Sequence, residues 1–404
     1  ELLEWTKLTP KEEVTVKKLM GQGAKLLVGP RGCGKSTLMR VAYFRLIENR
    51  ESIAVYVNFA KSLALEPYFH QRSDAIRIFR HWVIAKILVG LGRYFDDADV
   101  AIPLQFLEGI DLADRYVKQL EAGVEGGCLP VQWGAPSALV ELLELLCEEL
   151  SVPRIVLLLD DAAHAFSAEQ QREFFEIFRE LRSRAVAPKA AVYPGVTSYS
   201  PNFHVGHEAE VLEAWLGVDD PAYLASMRAL LERRFPAGIK ESLSDKPDIV
   251  DYLALASFGL PRGFINMLSE IIGLEDGDFG SNRPRTMAPR IVESYAQSVI
   301  KIYESLGSKI PKLKNYVDAG VIVRRNIIRW IKQHNLAYES VSRRAFTIGI
   351  DEPVPQNVER ILHMMEYAGL LRESGSVSRG QRSFRRYQVH FGLLIAENAL
   401  VLGR

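Results

Sequence analysis

Charge of one sign is what this chain has least of. Its 404 residues carry 50 Lys and Arg against 50 Asp and Glu, a formal net charge of zero. No global attraction to nucleic acid or to an anionic surface follows, so any basic surface must be local. Cysteine is nearly absent too. Cys33, Cys128 and Cys147 have no paired spacing, which argues against a disulfide framework or a zinc site and suits a reducing cytoplasm, the expected location. No apolar run approaches a membrane span, so no membrane is expected among the partners. The first residues, Glu1-Leu2-Leu3-Glu4-Trp5, lack a basic stretch followed by an apolar one, so no signal peptide is expected there. The chain does not begin with Met, and a trimmed start is one reading of that. Internal repeats and low-complexity segments are absent.

What remains is an ordinary globular composition, 48% hydrophobic and 25% charged, in a length that predicts two to three domains. Within it, Gly29-Pro30-Arg31-Gly32-Cys33-Gly34-Lys35-Ser36 is a complete G-x-x-x-x-G-K-[ST] phosphate-binding loop. Gly29, Gly32 and Gly34 let the backbone turn so that successive N–H groups point at phosphate oxygens. Lys35 supplies a point charge for the β- and γ-phosphates, and the Ser36 hydroxyl suits Mg²⁺. Cys33 reads as a small loop residue, with a redox role as the alternative. Residues 24–28 are apolar enough for a buried strand. The run from Ser36 and Thr37 to about Glu48 reads as a helix whose dipole faces the phosphates. ATP or ADP with Mg²⁺ is the ligand this chemistry implies.

Thr9-Pro10-Lys11-Glu12-Glu13 signals the start of a lead-in helix within residues 1–23. Residues 52–59 predict a second strand ending at Asn58. Residues 65–150 read as mostly helical, with a Gly-rich surface loop at 123–127. Arg154–Asp161 reads as a buried parallel strand ending in two carboxylates. Asp160 is placed to hold the Mg²⁺ water shell and Asp161 to polarise the attacking water. Phe174, Phe175, Phe178 and Leu181 fall at helical spacing after it. Residues 190–198 are the next strand candidate, weakened by Pro194. Thr197 or Ser198 at its end would offer a hydroxyl to the γ-phosphate. Asn58, also on the ligand edge, would orient Asp161. Strands alternating with helices imply a parallel α/β sheet with its ligand at the carboxyl ends.

Past about residue 209 the chain reads helical to Leu306. Gly259-Leu260-Pro261-Arg262 is a turn opening a helix, and Arg262 could reach the γ-phosphate. His204 and His207 lack further residues at ligand spacing, which argues against a metal. His164 reads as packing at a helix start, with water positioning as the alternative. Lys309–Lys314 reads as a linker. Residues 315–404 hold 13 Lys and Arg against 8 Asp and Glu, an excess of five positive charges. Helices are predicted at 321–334, near 340–347 and at 355–367, with Gly369 as a left-handed cap. A hairpin with a basic tip follows. That order resembles winged-helix domains. It makes Arg379, Arg382, Arg385 and Arg386 candidate phosphate contacts on double-stranded DNA, with docking of a protein partner as the alternative.

Together these motifs resemble AAA+ and related STAND-type ATPases, most nearly the origin-recognition, initiator-type branch. The resemblance implies three domains: an α/β P-loop core over 1–208 with a helical insertion at about 65–150, a helical lid over 209–308 and a winged helix over 309–404. It makes Gly29–Ser36 Walker A, Asp160-Asp161 Walker B, Asn58 the glutamate-switch position, Thr197 or Ser198 sensor 1 and Arg262 sensor 2. Arg182 or Arg184 would be an arginine finger acting in a neighbouring copy. The implied activity is an ATPase switch whose nucleotide state controls self-assembly and DNA engagement. The alternatives are a STAND-type signalling or anti-phage defence scaffold that recruits a protein effector and, more distantly, a transposition or plasmid-maintenance ATPase. Two features depart from the family pattern. Asp-Asp replaces the usual Asp-Glu, which implies slow or gated hydrolysis. About 125 residues separate Lys35 from Asp160.

Overall fold

The computed structural model describes residues 2–401, apart from 61–73, 125–133, 163–166, 236, 238–239, 241–242, 244–245, 274–282, 310–312 and 339–343. Helix α1 (Leu2–Trp5) leads into α2 (Pro10–Met20). A reciprocal capping box starts α2: the Thr9 hydroxyl accepts from the Glu12 N–H, and the Glu12 carboxylate accepts from the Thr9 N–H. Then come β1 (Lys25–Val28), α3 (Lys35–Asn49) and β2 (Ile53–Asn58). Three helices of the expected insertion follow, α4 (Ala75–Ala98), α5 (Leu104–Glu121) and α6 (Pro136–Glu149), and then β3 (Ile155–Asp160), α7 (Ala168–Glu180), β4 (Val186–Val192) and β5 (Glu210–Glu213). Of the expected Gly-rich loop only Gly123 and Val124 lie among the described residues, in or just after the turn that closes α5.

The five strands form one parallel sheet in the order β2-β3-β4-β1-β5. Every residue of β3 and β4 is buried, as expected of central strands with both faces covered. The parallel α/β class is therefore present, with two corrections. The strand expected at 190–198 instead spans Val186–Val192. Pro188 and Lys189 look like strand breakers, yet Pro188 sits in register with Leu157, and the Lys189 ammonium donates to the Gly23 carbonyl. Burial pushes the pKa of that lysine down to about 7. The second correction concerns residues past 209, which read as helical. Glu210–Glu213 is an edge strand on β1, so the sheet runs beyond the expected boundary at residue 208. Glu-Val-Leu-Glu is too short to show a periodicity.

A second cluster of buried side chains forms around α8 (Tyr223–Arg234), α9 (Pro247–Ala256), α10 (Pro261–Gly273) and the start of α11 (Arg283–Lys309). The C-terminal unit is α12 (Lys314–Leu336), β6 (Thr347–Asp351), α13 (Gln356–Tyr367), β7 (Leu371–Arg379), β8 (Arg382–Val389) and α14 (Phe391–Ala396). Its strands pair antiparallel in the order β6-β8-β7. Gly369 takes the left-handed conformation after α13, as expected. Half of the short helix expected near 340–347 lies outside the described residues; of the other half, residues 344–346 are not helical and Thr347 opens strand β6. The buried core of this unit is continuous with that of the sheet.

Candidate functional site

The carboxyl ends of β1, β3 and β4 converge on one cavity of about 360 Å³. The loop from β1 to α3 forms its floor. Gly32 and Gly34 there have φ of +88° and +101°, conformations that a side chain would strain. A Cβ at Gly29 would lie 2.5 Å from the Cys33 sulfur, so the first glycine makes room for the fifth residue of the loop. Cys33 is buried, and burial pushes its thiol pKa up, which leaves it inert as a thiolate nucleophile. Lys35 is 6% exposed, and its ammonium donates to the carbonyls of Gly29 at 2.6 Å and Pro30 at 3.0 Å. Burial first, and then the Arg262 charge, lower its pKa, and an anion in the loop would act the other way, favouring the ammonium.

Asp160 is fully buried at the end of β3. Its Oδ2 accepts from the Tyr56 hydroxyl at 2.7 Å, its Oδ1 accepts from the Asp161 N–H at 2.9 Å, and the Ser36 side chain lies close enough to favour its charged form. Burial, with the Asp161 charge behind it, pushes its pKa up. A buried carboxylate beside a phosphate-loop hydroxyl, with no cation in a salt bridge to it among the described residues, is the donor set a hard divalent ion needs. The residues therefore fit Mg²⁺. Asp161 follows with φ +54°, and its Oδ1 accepts from the Tyr193 hydroxyl at 3.0 Å.

The opposite wall comes from the helical cluster and the N-terminal segment. Arg262 opens α10 and lines the cavity, and its Cβ lies 3.5 Å from where a Gly32 Cβ would be. The structure thus brings Arg262 to the phosphate loop, with Arg31 and Thr37 also at the cavity. Beyond the loop the lining turns more apolar, with Leu8, Met227, Leu230 and Ile265 beside Ser226 and Asn266. That mixture suits the flat body and polar edge of a base. None of these was named from sequence as a contact of a base, because they lie on three separate segments.

Two expected residues stand elsewhere, and a third, Asn58, ends β2 as expected but with another side-chain partner. Thr197 and Ser198 are not at a strand end. β4 stops at Val192, and Pro194, Gly195 and Val196 turn the chain away. The Thr197 hydroxyl donates to the Tyr193 carbonyl at 2.8 Å and accepts from the Tyr193 N–H, while the Ser198 N–H donates to Gln171. The side chain at the strand end is Tyr193, whose ring centroid lies 3.8 Å from the Lys35 ammonium. A strand ended at Pro194 would have pointed to it. Asn58 pairs in register with Asp160, and its side chain accepts from the Ala60 N–H. Asp161 is bonded by Tyr193 instead. His164 lies outside the described residues.

The basic residues also sort differently than expected. Arg182 is ion-paired with Glu208 at 3.0 Å, whereas Arg184 is exposed. In the hairpin, Arg379 and Arg382 face each other in register at the exposed tip. Arg385 is committed within the unit, to Glu359 at 2.9 Å and Glu352 at 3.3 Å, and Arg386 donates to Ser374. Among the described residues no group of His, Cys, Asp or Glu forms a metal cluster, and no helix is long and apolar enough to cross a membrane.

No family model matches the chain, and no curated protein matches it. Similar solved structures include the Walker-type ATPase PABY2304 of Pyrococcus abyssi. It is 13% identical, with 96% of this chain and 94% of that one covered and a TM-score of 0.47. The Aeropyrum pernix ORC2 protein, in ADPNP-ADP complexes, is 12% identical, with 98% and 96% covered and a TM-score of 0.39. Neither likeness assigns a function to this chain. What its own coordinates establish is an α/β P-loop core, a five-stranded parallel sheet with a phosphate loop between β1 and α3, as the resemblance to AAA+ ATPases implies.

Proposed function

We propose that this chain is an ATP-binding and hydrolysing switch of the AAA+ type. The observation that carries the reading is the buried Asp160 carboxylate at the end of β3, beside Ser36 and Lys35 of the phosphate loop and next to Asp161. On this reading the loop amides and Lys35 bind the β- and γ-phosphates, and Arg262 meets them from the helical lid. Ser36 and Asp160 would hold Mg²⁺, which when bound neutralises phosphate charge. Asp161 accepts a proton from the attacking water. Because Arg262 and the phosphate loop lie on different units, differential contact with the γ-phosphate would bias their relative angle.

Calorimetry with ATP and ADP tests the site. Lys35→Ala should abolish nucleotide binding, whereas Asp161→Ala should bind normally and stop turnover. If both variants hydrolyse ATP like the parent chain, the assignment is wrong.

We read the C-terminal unit as a winged helix from its two helices and β7-β8 hairpin, although strand β6 stands at the end of the segment expected to be the middle helix, and the exposed Arg379 and Arg382 support DNA engagement through the hairpin tip. Nucleotide-dependent self-assembly, with Arg184 or Arg182 reaching a neighbour's site, belongs to the same proposal. One observation favours the second reading, a STAND-type scaffold that recruits a protein effector. Helix α13 is packed on the core, where Tyr367 meets Tyr193 with ring centroids 5.2 Å apart. A helix engaged there is not free for the major groove. Light scattering with and without ATP and a DNA duplex separates the two.

A further inference from the structure

We infer that Tyr193 is a positioning residue through which the C-terminal unit acts on Asp161, an inference that rests on the nucleotide reading above. Tyr193 is 4% exposed and makes three contacts that no other residue of the site combines. Its hydroxyl donates to Asp161 Oδ1 at 3.0 Å. Its ring face lies against the Lys35 ammonium at 3.8 Å. Its ring also meets Tyr367, the last residue of α13, with centroids 5.2 Å apart and planes at 65°.

The contact with α13 is close because of one glycine. Gly195, two residues past Tyr193, has φ +66°, and a Cβ on it would fall 2.0 Å from the His363 Cβ. The helix therefore rests directly on the turn that carries Tyr193. Thr197 braces that turn from below by bonding both the N–H and the carbonyl of Tyr193. The backbone of Tyr193 is fixed, and its ring is confined between Lys35 and Tyr367. The Tyr367 phenol is near enough to Asp161 and Arg31 to feel both charges.

Asp161 needs such a support. It sits in the left-handed region, where the backbone gives a non-glycine residue little help, and Tyr193 supplies its one side-chain donor among the described residues. An aspartate is also a methylene shorter than a glutamate, so its reach depends on where it is aimed. With α13 docked, Tyr367 holds the Tyr193 ring and the hydroxyl aims Asp161. With α13 displaced, the ring is released and the carboxylate loses its donor. Engagement of the C-terminal unit is thereby read at the reaction centre without any contact between that unit and the phosphates.

The test uses the full chain with Mg²⁺ and ATP or ADP, comparing Tyr193→Phe, Tyr367→Ala and the double variant by calorimetry and steady-state turnover. Tyr193→Phe keeps the ring over Lys35, so affinities for ATP and ADP should stay within twofold while kcat falls tenfold or more. Tyr367→Ala should lower kcat three- to tenfold on the parent chain and not further on Tyr193→Phe, because both act through one hydroxyl. If Tyr193→Phe turns over within twofold of the parent, or loses affinity and kcat in equal measure, the positioning role is refuted while the cradle stands. If the two single effects simply multiply, the coupling to the C-terminal unit is refuted. A parent chain that binds no nucleotide sinks this inference and the proposed function together.

Discussion

Arg372, on the first strand of the C-terminal hairpin, bonds Glu213 at the end of β5 at 2.9 Å. The same guanidinium lies 3.5 Å from Asp219 and packs over Trp215. Gly217, between them, has no room for a side chain, since a Cβ there would lie 2.3 Å from Arg372 Nη1. One residue of the C-terminal unit therefore pins the segment that joins the sheet to the helical cluster. Arg372→Ala should destabilise the chain by about 1–2 kcal/mol, the lower part of the range for a charge-assisted contact because the arginine is buried but its two acidic partners are exposed. Thermal unfolding measures it. Limited proteolysis should show earlier cleavage between residues 214 and 222 in the variant, and an unchanged digest would count against the pin.

The Asp160–Ser36 pair makes a metal prediction with a pH sign. The pKa of Asp160 is raised by burial, so folding favours its protonated form. Any stability it lends the metal-free chain is full below the ordinary aspartate range and is lost as pH rises through the raised value. A cation reverses this preference. Mg²⁺ with ATP should therefore raise the melting temperature more at pH 8 than at pH 5. Asp160→Asn should remove most of the Mg²⁺-dependent part and leave metal-free binding of ADP within a fewfold of the parent.

Two buried groups of the C-terminal unit set opposite pH limits. Burial raises the Glu366 carboxyl pKa to about 7, even though it accepts from the Glu373 N–H at 2.8 Å. Its contribution is full below about 4.5 and disappears as pH climbs through 7. His390 is fully buried between Phe258 and Tyr295, and its pKa is held down to about 3. It contributes above 6.5 and loses that contribution as pH falls toward 3. Each group tilts stability by at most about 1.4 kcal/mol per pH unit in its window. Glu366→Gln should flatten the loss between pH 5 and 7.5, and His390→Phe the loss below 6.5. Melting temperatures across that range check both.

If the chain engages DNA through the hairpin as proposed, its arginines should divide in a DNA-binding assay. Arg379→Ala and Arg382→Ala should each weaken binding and reduce the slope of affinity against salt by about one. Arg385→Ala should cost stability, through the loss of Glu352 and Glu359 as partners, with no change in that slope. Equal slopes for all three would remove the tip from the interface.

The phosphate loop and the buried strand ending in Asp160 were legible in one dimension. Each is contiguous, and its chemistry demands particular residue types at particular spacings. The capping box at Thr9 and the turn at Gly259 were readable for the same reason, since local hydrogen bonds and backbone freedom are settled within a few residues. The length of β4 was not, because a proline and a buried lysine in a central strand are tolerated only through partners far away, Leu157 and the Gly23 carbonyl. Edge strand β5 exists only because β1 lies beside it.

The same division runs through the site. Residue type and spacing were enough to nominate Lys35, Ser36, Asp160 and Arg262. Tertiary packing alone chose Tyr193 over Thr197, turned Asn58 aside and committed Arg385 to its own unit. Those outcomes depend on which side chains meet once the elements have packed, as Tyr193 meets Asp161 and Arg385 meets Glu359, and an ordered list of residues does not contain those distances.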